Sequence, residues 1–169
     1  MNSHKNSIEI LQDLIRIDTQ NPPGNELVAA KYIEKYCDQL GLSSRIYTYD
    51  GNRGNIIVRI GPQTDKNLVI IGHLDVVKAS KEDWKHDPFA ATIVDGMMYG
   101  RGTLDMKYFI ATSLELMAHL VQIEKSLTRG VTFVFTADEE KGSSFGMKRL
   151  LSEEGIREEL SNKIVLNEG

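Results

Sequence analysis

The sequence predicts an α/β fold with a mainly parallel central sheet flanked by helices. Short apolar runs, typical of strands covered on both faces, alternate along the chain with amphipathic segments at helical spacing. The composition, 41% hydrophobic and 26% charged residues, is that of a globular protein. A length of 169 residues fits one domain, and the chain contains no internal repeat, low-complexity tract or obvious linker.

Two helices are predicted at the start of the chain. Residues 6–17 carry apolar side chains at helical spacing, and Asn6 followed by Glu9 is typical of a capping box. The Asn-Pro-Pro-Gly sequence at 21–24 ends this helix. A second amphipathic helix is predicted over about residues 25–40, where a glycine follows as a stop signal.

The middle of the chain predicts strands followed by helices. Residues 42–49 and 55–60 flank a turn sequence, and residues 91–99 predict a second hairpin with Asp-Gly at its tip. A long helix is predicted over about 105–122, and a short helix around 144–151. The face of the long helix expected to be buried consists of Phe109, Ser113, Leu116, Met117 and Leu120.

Three apolar runs, residues 68–71, 131–135 and 164–166, share one property: acids or a histidine follow each of them closely. In open α/β sheets, ligands bind beyond the carboxyl ends of the strands, so parallel neighbours would collect these polar residues in one crevice. Asp105, at the start of the predicted long helix, belongs to the same crevice. The residues that follow the runs are His73 and Asp75, then Asp138, Glu139 and Glu140, then Glu168.

These residue types indicate a divalent cation. His73 and Asp75 are two residues apart on an extended chain and point the same way, so Asp75 can accept the second ring N–H of a metal-bound imidazole. Glu139 and Glu140 are consecutive and point apart, so one can bind metal while the other acts as a base. Imidazole beside carboxylates favours zinc, manganese or cobalt over magnesium. A cation would also offset the repulsion within the acidic run 138–140.

Each of these residues also has a structural explanation. A single histidine at a strand end is usually structural, an acidic run is usually a solvated turn, and Asp105 alone fits a helix N-cap. The case for a metal site depends on all of them meeting at one edge of the sheet.

Composition and charge exclude several classes of function. A net charge of -4 and a pI near 5.6 argue against a nucleic-acid partner, because no basic stripe neutralises phosphates. The polar N-terminus lacks the apolar region of a signal peptide, and no apolar window reaches the length of a membrane span, so we expect a cytoplasmic protein without a membrane partner. Cys37, the single cysteine, excludes an internal disulfide and is expected to be a buried core residue.

Four sequence motifs, in this order, resemble those of a known family. They are GHLDVV at 72–77, WKHDPF at 84–89, GRGTLDMK at 100–107 and TADEEKG at 136–142. From about residue 7 to the C-terminus the chain resembles the di-zinc metallopeptidase family of aminoacylase, carboxypeptidase G2, succinyl-diaminopimelate desuccinylase and acetylornithine deacetylase, and within it the aminoacylase-like branch.

The resemblance implies two Zn²⁺ ions, with Co²⁺ or Mn²⁺ as substitutes, and hydrolysis of an amide bond in N-acyl amino acids or short peptides by metal-activated water. It implies catalytic roles for Asp75, which supports a metal ligand, and for Glu139, the general base. It also implies a cis peptide bond between Asp105 and Met106. The implied metal ligands are His73 and Glu168 at one zinc ion, Glu140 at the other, and Asp105 bridging both.

The chain departs from the family pattern where it stops. Family members continue into a lid or dimerisation domain and then supply a last histidine ligand, whereas His4, His86 and His119 do not occupy the required position. We therefore expect residues 1–169 to be the N-terminal part of a zinc-peptidase catalytic domain that lacks the lid or dimerisation domain. This part alone is expected to be a poor catalyst, with 163–168 as an exposed apolar edge, while the full-length protein is compatible with a homodimer.

Two other classes of function stay open. One is a non-catalytic folded fragment without a complete metal site, which the missing histidine favours. The other is a magnesium-dependent phosphoryl-transfer domain, whose acids also lie at strand ends. His73 and the lack of a phosphate-binding glycine loop with lysine argue against the second class.

Overall fold

The strands form where the apolar runs of the sequence predict them. The computed structural model describes residues 5–168. Its central sheet contains five strands, and a separate hairpin contains two more. The central strands are β1 (Ser44–Tyr49), β2 (Arg53–Ile60), β3 (Leu68–His73), β6 (Val131–Thr136) and β7 (Ile164–Leu166), and the hairpin consists of β4 (Thr92–Val94) and β5 (Met97–Tyr99).

The order of the strands in the central sheet is β1-β2-β6-β3-β7. Strands β6, β3 and β7 are parallel neighbours, whereas β2 is antiparallel to β1 and to β6. Four of the five strands therefore run in the same direction, and β2 runs against them. The prediction of a mainly parallel sheet is confirmed, with β2 as the exception.

Helices cover both faces of this sheet. They are α1 (Ser7–Arg16), α2 (Glu26–Gln39), α3 (Lys107–Gln122), α4 (Met147–Leu150) and α5 (Ile156–Leu160). Successive strand residues point to opposite faces, so Phe133 and Phe135 join the core beneath α1, α2 and α3, whereas Val134 packs with Leu150 of α4 and Ile156 of α5. The two cores give three layers, helices on either side of one sheet.

The ends of α1 and α3 are set by local sequence. The side chain of Asn6 accepts a hydrogen bond from the main-chain N–H of Glu9, and the Glu9 carboxylate accepts one from the main-chain N–H of Asn6, both at 3.0 Å. These two bonds confirm the capping box. Helix α3 begins at Lys107, two residues later than predicted, and its cap residue is Met106 rather than Asp105. The N-cap explanation for Asp105 is therefore wrong.

The predicted burial of Leu116 is also wrong. Leu116 is 40% exposed, and the buried stripe of α3 instead runs through Ile110, Leu114 and Met117. These residues follow the spacing i, i+4, i+7, and a residue next to such a stripe turns about 100° away from it on a helix. Cys37 of α2 is fully buried, as predicted.

Strand β7 forms one edge of the sheet, hydrogen-bonded only to β3 among the described residues. Its side chains Ile164, Val165 and Leu166 are 67%, 49% and 49% exposed, so the predicted exposed apolar edge is confirmed. Within residues 5–168, none of the helices has the length and apolar character that crossing a membrane requires.

Candidate metal centre

The parallel strands bring the predicted polar residues to one edge of the sheet. In the register of β3 with β6, His73 lies opposite Thr136, so the turn that follows β6 emerges beside His73. Strand β7 lies on the other side of β3 and leads into Glu168. The prediction that these strand ends meet in one crevice is confirmed.

His73 is the centre of this crevice. Its side chain is 2% exposed, and its Nδ1 donates a hydrogen bond to the main-chain oxygen of Asp75 at 2.9 Å. Its Nε2 lies 3.0 Å from Oδ1 of Asp105 and 3.4 Å from Oε1 of Glu168. Among the described residues, these three side chains offer ligand atoms that all lie within 4.8 Å of one another.

The donor chemistry of this cluster fits a divalent cation. Because a carbonyl oxygen can only accept, Nδ1 of His73 carries a proton, and in the neutral ring the lone pair of Nε2 faces two carboxylates. That arrangement requires positive charge between them, either a proton or a metal ion. Burial lowers the pKa of His73, but the hydrogen bond with Asp75 and the charges of Asp75, Glu168 and Asp105 outweigh it and raise the pKa to about 9.

Two of the predicted carboxylates are accessible from solvent. The side chains of Asp105 and Glu139 are 61% and 53% exposed, and Oε2 of Glu139 lies 3.9 Å from Nε2 of His73. The peptide bond between Asp105 and Met106 is cis, as the family resemblance implies. A cavity of about 170 Å³ opens beside the cluster, and His73, Glu139, Ser143, Met147 and Glu168 are among its lining residues.

Glu140 does not belong to the group of three ligand atoms. Burial raises the pKa of Glu140, and the neighbouring charge of Asp105 raises it further. Neither His86 nor His119, the other histidines within residues 5–168, belongs to the group. His86 stacks against Tyr99 with ring centroids 4.7 Å apart, and His4 lies outside the described residues.

Asp75 is buried behind His73 and is surrounded by donors. Its Oδ1 lies 3.5 Å from Nδ1 of His73 and accepts the main-chain N–H of Glu139 at 3.0 Å. Its Oδ2 accepts the N–H of Glu140 at 3.2 Å and the side-chain amide of Asn21 at 2.8 Å. Burial acts to raise the pKa of Asp75, but the hydrogen bonds from His73 and Asn21 outweigh it and lower the pKa below its usual value.

Asp138 differs from the two glutamates beside it, because a protein cation neutralises it. Its side chain is 5% exposed, and its Oδ1 lies 3.1 Å from Nη2 of Arg53. The guanidinium of Arg53 also binds both carboxylate oxygens of Glu26 at 2.7 Å. The sequence interpretation that one bound cation offsets all three adjacent acids is therefore wrong for Asp138.

The sequence interpretation missed this buried layer of polar residues behind the cluster. The sequence pattern predicts only a helix stop at Asn21, a turn at Arg53 and the start of a helix at Glu26. Lys107 is also buried, and its Nζ donates to the main-chain oxygens of Leu14 and Ile17 at 2.9 and 2.8 Å. The signal for such residues is chemical: they are charged or amide side chains in short segments between apolar runs. The pattern alone does not distinguish burial of these side chains from solvation by water.

The family described as Peptidase family M20/M25/M40 matches residues 69–168. A probable succinyl-diaminopimelate desuccinylase of Staphylococcus epidermidis is 31% identical over 164 residues, which cover 96% of this chain and 39% of that protein. One of Staphylococcus aureus strain Mu50 is 32% identical over 167 residues, covering 96% of this chain and 40% of that protein.

Solved structures share the fold. Human carnosine dipeptidase 1 superposes with a TM-score of 0.72 over 94% of this chain and 37% of its own, at 23% identity. The M20 family metallo-carboxypeptidase Sso-CP2 of Sulfolobus solfataricus superposes with a TM-score of 0.69 over 83% of this chain and 32% of its own, at 24% identity.

The fold and the crevice define an α/β protein with a cluster of one histidine and two carboxylates at the carboxyl ends of its parallel strands. Within that class, the chain belongs to peptidase family M20/M25/M40. It spans about two-fifths of the length of the curated relatives described above.

Proposed function

We propose that this chain is the N-terminal part of the catalytic domain of a zinc-dependent amidohydrolase that hydrolyses the amide bond of N-acyl amino acids or short peptides. The observation that carries the proposal is the placement of Nε2 of His73 within 3.4 Å of two carboxylates, next to the exposed Glu139. The relatives named as desuccinylases and the fold shared with a dipeptidase and a metallo-carboxypeptidase support the same class of reaction.

The proposed ligands divide into two groups. His73 and Glu168 would hold one zinc ion, Glu140 would hold the other, and Asp105 would bridge them. Bound divalent cations would supply two effects, a lowered pKa of the attacking water and polarisation of the scissile carbonyl. The mixture of one imidazole with several carboxylates supports zinc, with cobalt or manganese as substitutes.

Glu139 and Asp75 have the proposed catalytic roles. Glu139 is exposed on the side of the cavity and would accept the proton of the attacking water and deliver it to the leaving amine. Asp75 would keep the imidazole of His73 in one orientation from behind and hold the main chain of Glu139 in place.

Zinc content tests the metal site directly. The chain is purified without chelator and dialysed against metal-free buffer, and we expect about one zinc ion per chain to remain, at His73, Asp105 and Glu168. The second ion has only Glu140 and the bridging Asp105 as proposed ligands in this chain. His73→Ala should lose the retained ion, whereas His119→Ala, on the exposed side of α3, should keep it. A chain with native circular dichroism that retains no zinc would contradict the proposed ligand set.

Turnover tests the role of Glu139 in the complete protein. Glu139→Gln should retain zinc and lose about 10²–10⁴-fold in turnover of N-acyl amino acids, the usual contribution of a general base. Glu158→Gln, an exposed glutamate on α5, serves as the matched control and should keep full activity. Near wild-type turnover by the Glu139→Gln protein would show that the assigned role is wrong.

A second candidate function is a folded, non-catalytic unit. It is favoured by the observation that His73 is the one histidine of the cluster among residues 5–168. Zinc binding by a folded chain together with no amide hydrolysis by the complete protein would favour this alternative.

A further inference from the structure

Asn21 lies behind the candidate metal centre, in the loop between α1 and α2. It is 2% exposed, and its main-chain N–H donates to the oxygen of Val76 at 2.9 Å. The preceding residue, Gln20, forms an isolated parallel bridge with Val76. The main chain of Asn21 is therefore fixed against the segment that carries Asp75.

The side-chain amide of Asn21 connects two buried carboxylates. Its Nδ2 donates to Oδ2 of Asp75 at 2.8 Å and to Oδ1 of Asp138 at 2.9 Å. An amide nitrogen carries two N–H groups, so each carboxylate receives one of them. Asp75 and Asp138 are both buried, and a buried carboxylate without donors carries a large desolvation cost.

Asp75 in turn holds the main chain of the two glutamates that follow Asp138. It accepts the main-chain N–H groups of Glu139 and Glu140 at 3.0 and 3.2 Å. The orientation of its carboxylate therefore decides where the main chain of both residues lies. Asp138, the other acceptor of the Asn21 amide, begins the same turn.

We propose that Asn21 is a positioning residue of the catalytic centre. By donating to Asp75 and Asp138 at once, Asn21 fixes the Asp75 carboxylate and, through it, the turn that carries Glu139 and Glu140. The effect on turnover rests on the proposed function, whereas the effect on the turn does not. Groups that orient metal ligands from behind typically change metal affinity or activity by about 10–100-fold when they are mutated.

Asn21→Leu tests the proposal, because leucine has a similar branched shape and no donors. Asn55→Leu is the matched control. Asn55 is also a buried asparagine that holds the loop after β6, but its amide contacts the main chain of Ala137 and Phe145, both at 2.9 Å. Each variant thus removes a buried side-chain amide that contacts the loop after β6, and only Asn21→Leu removes a donor to Asp75.

Amide hydrogen exchange of the metal-free chain distinguishes positioning from general loosening. Asn21→Leu should speed exchange at the main-chain N–H groups of Glu139 and Glu140 by about 10–100-fold. This is the factor that corresponds to the free energy of one hydrogen bond to a charged group. Asn55→Leu should speed exchange at Ala137 and leave those two amides unchanged. Equal acceleration of the whole loop by both variants, or unchanged exchange at Glu139 and Glu140 in Asn21→Leu, would overturn the proposal.

Zinc affinity and turnover are measured on the same variants in the complete protein. Asn21→Leu should weaken Zn²⁺ binding, measured by competition with a chelating dye, by about 10–100-fold, with Asn55→Leu within about threefold of wild type. If wild type hydrolyses no amide substrate, the proposed function fails while the exchange pattern still decides the role of Asn21. If Asn21→Leu does not fold, Asn21→Ser, with one donor instead of two, should show faster exchange at Glu139 and Glu140, and wild-type exchange there would refute the proposal.

Discussion

Removing the cation of Arg53 is the most informative perturbation of this fold. The side chain of Arg53 is 8% exposed and lies between two carboxylates, Glu26 at 0% and Asp138 at 5%. Its guanidinium donates to Glu26 through two nitrogens and to Asp138 through one of them, and lies 5.0 Å from the ring centroid of Phe145. Arg53→Met keeps most of the apolar stem and leaves both carboxylates without their cation.

The expected loss of stability is large. Breaking a buried ion pair by removing one partner costs about 3–5 kcal/mol, since the remaining charge stays buried. Because Arg53 serves two buried acids, we expect a loss near the upper end, about 5 kcal/mol. Domains are stable by only about 5–15 kcal/mol, so this variant should lose between about a third and all of its stability.

Arg59→Met provides the matched control. Arg59 lies on the same strand and also binds a glutamate through two nitrogens, Glu159 at 2.6 and 2.7 Å. Its side chain and that of Glu159 are 30% and 28% exposed, however, so water screens the pair. We expect a loss of about 1 kcal/mol for this variant.

Urea unfolding followed by circular dichroism measures both losses in free energy. Strand, residue type and bidentate geometry are shared, so the comparison contrasts a buried cation that serves two acids with a half-buried cation that serves one. Equal losses for Arg53→Met and Arg59→Met would refute the reasoning that burial of the acids makes the first pair decisive.

Three further outcomes follow from the same structure. Burial raises the pKa of Glu26 and Arg53 counteracts this, so Glu26 of the folded Arg53→Met protein takes up a proton more readily. The difference in unfolding free energy between wild type and Arg53→Met, measured in urea, should therefore become smaller as the pH falls from about 8 to about 5. Gly24 has φ +86°, and a Cβ added there would lie 2.4 Å from Cζ of Arg53. Gly51 has φ +71°, but a Cβ added there would meet no atom within 4 Å. Thermal unfolding should therefore show a greater loss of stability for Gly24→Ala than for Gly51→Ala. Burial, followed by the neighbouring acidic charges, raises the pKa of Cys37 to about 12, so iodoacetamide should label Cys37 only in denaturant, and rapid labelling of the native chain would contradict its burial.

Local sequence patterns located all the strands of residues 5–168 and four of its five α-helices, but they gave no signal for α5. Apolar runs of four to six residues located strands such as β3 and β6. The capping pair Asn6 and Glu9 located the start of α1. The His73 and Asp105 motifs identified the crevice, because their chemistry lies in a few consecutive residues.

The tertiary structure alone decided which groups neutralise and hold the acids. Asn21 and Asp138 are 117 residues apart in sequence, and Arg53 and Asp138 are 85 apart. Periodicity reports which face of an element is buried, but it carries no information about which distant polar group will meet a given carboxylate. That choice depends on strand order, with antiparallel β2 placed beside β6, and on the high cost of burying a charge without a partner.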